Sequence, residues 1–141
     1  MIDAITSLLQ NDAAVIAALT GGVHRANEIS RQETPTAYDA NSELLPCALV
    51  RQESGTPWGP HEHSGRLYVV VVFYQRSGLA AIETARKRAY ALLHRQKLTP
   101  VDGSGCYEVR WSYDLLDQDD PALGVSMALS RYVATVQRQG A

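Results

Sequence analysis

The chain has 141 residues, 45% hydrophobic and 20% charged, which is typical of a globular protein with one core and excludes a disordered chain. Its formal net charge of -2 excludes a strong overall attraction to nucleic acid or to anionic membranes. The two cysteines, Cys47 and Cys106, have no CxxC spacing, so we expect free thiols in a reducing compartment. We predict a single domain over residues 1–141.

The N-terminal segment predicts helix. Apolar residues recur at helical spacing over residues 2–19, and Asp12 is placed to cap a second short helix that would divide the segment in two. The segment lacks a basic region and a cleavage site, so we expect no signal peptide. Residues 23–46 show no period and predict a long loop, a kind of connection that is usually functional or mobile.

The middle of the chain predicts a hairpin followed by a helix. Residues 47–53 indicate a first strand, and RLYVVVVFYQR at 66–76 is the strongest strand pattern in the sequence. The Gly- and Pro-rich residues 54–65 between them predict a wide loop. Apolar residues at helical spacing then predict a helix over residues 78–96.

The C-terminal part predicts a turn at 100–105 and two more strands. Residues 106–113 alternate between apolar and polar side chains, as in a half-buried strand. The acidic residues 114–124 predict a loop, and residues 125–137 predict the last strand. The order helix-strand-strand-helix-strand-strand predicts an α+β fold, in which a four-stranded, mainly antiparallel sheet carries two helices on one face.

The strand at 66–76 is apolar on both sides, and two helices cover only one face of such a sheet. The other row of side chains therefore needs a partner, and a large exposed apolar patch usually marks an interface. The interface candidates in this row are Tyr68, Val70, Val72 and Tyr74. The alternative is that residues 23–46 fold over this face, which would cover it from within the chain.

Several phrases occur in a recognisable order: DAAVIAALTGGV, LPCALV, LYVVVVFYQRSG, IETARKRAYALLH and LLDQDDPALGVSMALSRYVATV. In pattern and order they resemble the tail completion (tail terminator) proteins of long-tailed bacteriophages and prophages. The resemblance implies a non-enzymatic structural protein of the virion tail or neck, assembled in the host cytoplasm. It also implies a homo-oligomeric ring, typically of six copies, that caps the tail tube and joins it to the head-side connector.

The resemblance thus implies three kinds of partner: further copies of the chain, the tail tube protein and the head-tail connector or neck protein. DNA would pass through the ring, and neither a cofactor nor a membrane is implied. Another neck or tail-tube structural protein remains an alternative.

Charged residues supply further interface candidates. The predicted helix carries a run of cations at Arg86, Lys87 and Arg88. Such a run is most often a solvated helix face, but it could contact DNA or an acidic loop of a neighbouring subunit. The acids of that loop are Asp114, Asp117, Asp119 and Asp120, of which the last three are interface candidates.

The predicted hairpin loop contains the remaining candidates. Trp58 either packs back onto its own sheet or is offered to a partner, since tryptophan is enriched at binding hot spots. His61, Glu62 and His63 could ligate a metal, and His24 lies elsewhere, but no further ligand motif follows and a solvated loop is favoured. Nucleophile and phosphate-loop motifs are absent, so we predict no catalytic, cofactor or metal site. A small metal-dependent enzyme using this loop is the alternative from another class.

Overall fold

The computed structural model describes residues 2–58, 61–98 and 105–137. The helices are α1 (Ile2–Gln10), α2 (Ala13–Ala18) and α3 (Ala80–Leu93), with a short 3-10 turn at Pro35–Ala37. The strands are β1 (Val23–His24), β2 (Cys47–Trp58), β3 (His61–Gln75), β4 (Gly105–Asp120) and β5 (Val125–Gln137). None of the helices described is long and apolar enough to cross a membrane.

The strands form one five-stranded sheet in the order β1-β2-β3-β5-β4. β1 is parallel to β2, and the other neighbours are antiparallel. The fold is therefore α+β, but the predicted four-stranded sheet with two helices is wrong: the sheet is mixed, and the described residues contain three helices. The missed strand β1 has only two residues, which are too few to give a period, and it is defined by its pairing with Ala48 and Leu49.

The division of the N-terminal helix follows the predicted cap. The Asp12 carboxylate accepts a hydrogen bond from the backbone N–H of Val15 at 3.0 Å, which starts α2. α3 begins differently, because no capping side chain precedes it. Instead the side-chain oxygen of Gln75, at the end of β3, accepts hydrogen bonds from the N–H groups of Ala81 and Ile82.

Three strands are longer than predicted. β2 continues to Trp58 and β3 begins at His61, so most of the predicted loop 54–65 is paired strand. β4 likewise continues to Asp120 through residues that were predicted as an acidic loop. Register shifts absorb the poor strand formers, and Asp117 adopts a positive φ of 53° beside one of them. The predicted turn at 100–105 lies almost entirely outside the described residues.

The main core lies between the helices and one face of the sheet, which we call the helix face. Val69, Val71 and Phe73 of β3 are almost fully buried there, as the predicted alternation requires. Helix residues that include Ile5, Leu9 and Ile82 pack against them. Burial of each such side chain contributes about 1.5–3 kcal/mol, so this layer accounts for much of the fold's stability.

The opposite side of the sheet, which we call the second face, has its own apolar cluster. Ile29, Ala37 and Leu44 from the long connection pack over β2 and β3. Val72 and Tyr74 retain only 5% and 7% of their exposure as a result. The alternative stated for this face is thus the one that the structure shows, because the chain itself covers this end of it.

Apart from the 3-10 turn at Pro35–Ala37 and one isolated bridge between Tyr38 and Leu44, the covering segment is irregular, and hydrogen bonds within it define its path. The Asp39 carboxylate accepts from the N–H groups of Asn41 and Glu43, and Leu45 donates its N–H to the carbonyl of Ala37. Side-chain to backbone bonds of this kind replace a helix or a ladder, which explains why no period marks the segment.

Candidate interaction surface

Away from the covering segment, the second face is open, and Arg131 of β5 lies at its centre. The Arg131 guanidinium carbon is 4.2 Å from the ring centroid of Tyr68 and 5.5 Å from that of Tyr113. Its Nε is 3.3 Å from a carboxylate oxygen of Glu53, but that contact lacks hydrogen-bond geometry. Two rings and one carboxylate therefore hold the guanidinium in place, with 22% of the side chain exposed.

Arg131 lines one of two cavities on this face, and Glu53, which lies against it, lines the other; we call the two cavities together the arginine groove. The larger has a volume of about 750 Å³ and the smaller about 300 Å³. Among the residues whose side chains are described, the charged ones that line them are four arginines, Arg51, Arg66, Arg110 and Arg131, and two glutamates, Glu53 and Glu108. Val70, Val72 and Leu129 line the smaller cavity. Arginine and tyrosine around an apolar floor are typical of a protein-binding surface.

The structure places the predicted apolar candidates unequally on this surface. Val70 is 8% exposed and lines the smaller cavity, whereas Tyr68 is only partly buried and lines the larger one. Val72 and Tyr74 lie under the covering segment, where Tyr74 has its pKa raised to about 12 by burial. Of this row, Tyr68, Val70 and Val72 line the groove, although Val72 also belongs to the cluster under the covering segment.

A second surface runs along the outer edge of the sheet, in residues 115–120 of β4, which we call the acidic arm. Leu115 and Leu116 are 47% and 46% exposed, more than any other large hydrophobic side chain described. The predicted acids lie beside them: Asp117 and Asp119 are exposed, and Asp120 accepts hydrogen bonds from two N–H groups in the β4–β5 turn. Two exposed leucines on a free edge strand indicate a contact surface.

The predicted cationic run on α3 is largely engaged within its own chain. Arg86 donates to Asp114 at 2.9 Å, and Arg88 donates two hydrogen bonds to Asp12 at 2.8 and 3.0 Å. The hydrogen bond from Arg88 lowers the pKa of Asp12 from 3.8 to about 2. Lys87 is exposed. A contact between this run and acids of a neighbouring subunit would thus have to compete with two existing ion pairs.

Asp114 fixes the edge strand to the body of the protein. Its second oxygen accepts from the Trp111 indole N–H at 3.0 Å and from the Ser130 hydroxyl at 2.6 Å. The side chains of Asp114 and Arg86 are 14% and 18% exposed, so this ion pair is largely desolvated. The acidic arm therefore extends from a strand that is anchored to both α3 and β5.

Sequence reasoning missed Arg131, and it named Asp114 only as an acid that the helix of a neighbouring subunit could contact, whereas Asp114 pairs with Arg86 of its own chain. A signal for Arg131 existed, because this arginine interrupts the alternating apolar row between Leu129 and Val133 on β5. Asp114 was assigned to a loop, and without its strand pairing with Ser130 nothing distinguished it from the acids that follow it.

The structure says less about the remaining candidates from the sequence, which are the hairpin residues and the cysteines. Trp58 ends β2 and pairs with His61 through the backbone, but the side chains of residues 56–64 lie outside those described, so both hypotheses for this hairpin stay predictions. Elsewhere in the described chain, no group of three His, Cys, Asp or Glu residues could hold a metal. Cys47 is fully buried, and burial raises the pKa of its thiol to about 12, which leaves it unreactive at neutral pH.

The chain was compared with known protein families, curated proteins and solved structures. No family model and no curated protein matches it. A chain in the solved structure described as "Virion of native gene transfer agent (GTA) particle" is similar to it, with a TM-score of 0.76 and 13% sequence identity. The similarity covers 97% of this chain and 94% of that chain. At this identity the likeness establishes a shared fold.

Proposed function

We propose that the chain is a structural, non-enzymatic component of a phage-like particle, and that its role there is that of a tail terminator. The observation that carries the proposal is the full-length likeness in fold to a chain of a gene transfer agent virion. It agrees with the sequence resemblance to tail completion proteins, which was drawn from a different kind of pattern. The chain would accordingly reside in the virion, in its tail or neck.

The mechanism is geometric. A ring of copies would match the last ring of the tail tube on one side and the head-side connector on the other, so that tube growth stops and the tail can join the head. Such a ring needs a heterologous interface, in which two different surfaces of the subunit meet and the rotation closes. The described chain has two candidate surfaces of different composition, the arginine groove and the acidic arm.

Deletion of the gene for this chain from the genome that encodes the particle tests the proposal. If the chain is a terminator, the deletion mutant should accumulate tail tubes of irregular, excessive length together with unattached, filled heads. Negative-stain electron microscopy would show both. Expression of the chain from a plasmid should restore joined particles with tails of uniform length.

The alternatives give different images. A tail-tube protein would leave no tubes at all, and a neck protein would leave tubes of normal length that are not joined to heads. Fully normal, infectious particles after deletion would contradict a structural role of any of these kinds.

A further inference from the structure

We propose that His94 is a pH-sensitive latch between the end of α3 and the outer edge of β4, and that protonation of its ring releases the edge at Trp111. The latch is a hydrogen bond in which Nδ1 of the His94 imidazole accepts from the backbone N–H of Trp111 at 3.0 Å. This device is a property of the folded chain and does not depend on the proposed function.

The latch belongs to a short cover on the outer edge of β4. β4 is the last strand of the sheet, so no strand lies beyond it among the described residues. Just after α3, Arg95 donates its N–H to the carbonyl of Val109 at 2.6 Å, and Val109 donates its own to the carbonyl of Gln96 at 2.9 Å. Outward-pointing N–H groups recur at every second residue of a strand, so the next one is that of Trp111, which His94 accepts.

The state of the imidazole decides whether this bond exists. A ring nitrogen accepts a hydrogen bond only when it carries no proton, so the contact requires the neutral ring with its proton on Nε2. The charged ring carries a proton on both nitrogens, and Nδ1 of His94 would then direct a donor at the donor of Trp111. Turning the ring over places a carbon-bound hydrogen there instead. Protonation therefore removes the acceptor in either orientation of the ring.

The ring is held in place and is also accessible to solvent. It stacks on Tyr90, with 4.7 Å between the ring centroids and 16° between the planes, and Tyr90 meets the Trp111 ring edge-on at 6.0 Å. His94 is only partly buried, so a proton can reach it without unfolding. Tyr90 attracts the charged ring in either orientation, which does not restore the bond. The Trp111 indole stays hydrogen-bonded to Asp114, so the release is confined to the backbone.

The charges around the contact do not compensate a positive ring. No carboxylate among the described residues forms an ion pair with His94. The charged groups that flank the contact along the two elements are two acids of β4, each already paired with an arginine, and two cations that follow α3: Glu108 with Arg110, Asp114 with Arg86, and then Arg95 and Lys97. Protonation of His94 thus removes a hydrogen bond and adds an unpaired charge.

His24 shows the opposite arrangement. Its Nε2 lies 2.6 Å from the carbonyl oxygen of Gly21, so this ring acts as the donor. The charged imidazole also has an N–H at Nε2, and protonation therefore keeps this bond. Of the two histidines whose side chains are described, only His94 loses its hydrogen bond when it is protonated.

Hydrogen exchange at the Trp111 amide tests the latch, resolved by NMR or by fragmentation in mass spectrometry. The measured quantity is the protection factor, which compares exchange in the protein with exchange in an unstructured chain at the same pH. Between about pH 8 and about pH 5 this factor should fall about fivefold or more, as expected for the loss of one hydrogen bond. The imidazole C–H shifts of His94 record its protonation in the same samples.

Three variants separate the latch from a general effect of acid. In His94→Asn the side-chain oxygen can take the position of Nδ1 and does not titrate, so the Trp111 amide should stay protected at both pH values. His94→Phe keeps a ring to stack on Tyr90 but offers no acceptor, so protection should be low at both. His24→Gln is the matched control and should show the same loss on acidification as the wild type.

The latch is refuted if protection of the Trp111 amide does not fall as His94 becomes protonated. It is refuted equally if His94→Asn loses protection on acidification as the wild type does, or if His24→Gln abolishes the loss. Nitrogen-15 shifts that place the proton of the neutral His94 ring on Nδ1 would also contradict it. Should His94→Phe fail to unfold cooperatively in urea, the wild type and His94→Asn decide the outcome. Gene deletion tests the virion role separately.

Discussion

Replacement of Asp114 by alanine should destabilise the protein severely. The carboxylate is 14% exposed and accepts hydrogen bonds from Arg86, Trp111 and Ser130. Its removal leaves a largely buried guanidinium without its counter-charge, and breaking such a pair costs about 3–5 kcal/mol. The Arg86 Nε already lacks a hydrogen-bond partner in the described structure, so the loss of Asp114 would leave this guanidinium still less satisfied.

Asp114→Ala should therefore lower the free energy of unfolding by about 4 kcal/mol. This is a large part of the total of about 5–15 kcal/mol that is typical of a native protein. Arg86→Met should also destabilise, because it leaves the carboxylate charged and largely buried. The double variant removes both charges, so it should lose at least about 2 kcal/mol less than the sum of the single losses.

Urea unfolding followed by circular dichroism measures these free energies, and repetition at two protein concentrations separates folding from subunit assembly. A loss below about 1 kcal/mol in Asp114→Ala would refute the reasoning, since such a value is typical of an exposed ion pair. Additivity of the two single losses within about 0.5 kcal/mol would do so too, because it would mean that the two charges do not interact.

Three further predictions concern other parts of the fold. Arg88 lowers the pKa of Asp12 to about 2, so the stability due to this pair should be complete above pH 3.8 and be lost as the pH falls towards 2. In Asp12→Asn, the midpoint of urea unfolding should therefore fall less steeply than in the wild type over this acidic range. Val72→Asp places a carboxylate under the covering segment and should lower the free energy of unfolding by about 3 kcal/mol or more. A midpoint of urea unfolding close to that of the wild type would show that the segment does not cover this position. In a Cys106→Ser background, the Cys47 thiol should react with a thiol reagent at pH 8 far more slowly in the native protein than in urea, and equal rates would contradict its burial.

The elements with strong local signals could be predicted from the sequence. The last strand was predicted at 125–137, and the structure confirms it as β5. The break of the N-terminal helix at Asp12 is also confirmed, because a capping side chain and the N–H that it accepts from are only three residues apart. The two rows of β3 were separated correctly, since alternation along a strand needs no knowledge of its partners.

Where the strands end could not be predicted in the same way. Residues 54–58 and 114–120 contain Gly, Pro and Asp, which locally favour a loop, yet they pair along the lengths of their neighbours. Hydrogen bonds to an adjacent strand, together with register shifts, outweigh a propensity that amounts to no more than about 1 kcal/mol per residue. The same dependence on a partner explains why the two-residue strand β1 left no signal.

Composition and periodicity by themselves thus determined an α+β chain with an unusually apolar central strand, and the pattern of elements supplied the resemblance to tail completion proteins. What covers each row of that strand was decided only in three dimensions. Residues from 29 to 44 reach Val72 across the sheet, and the arginine groove gathers side chains from β2, β3, β4 and β5. Contacts between residues so distant in sequence arise from the packing of the whole sheet, and no local pattern records them.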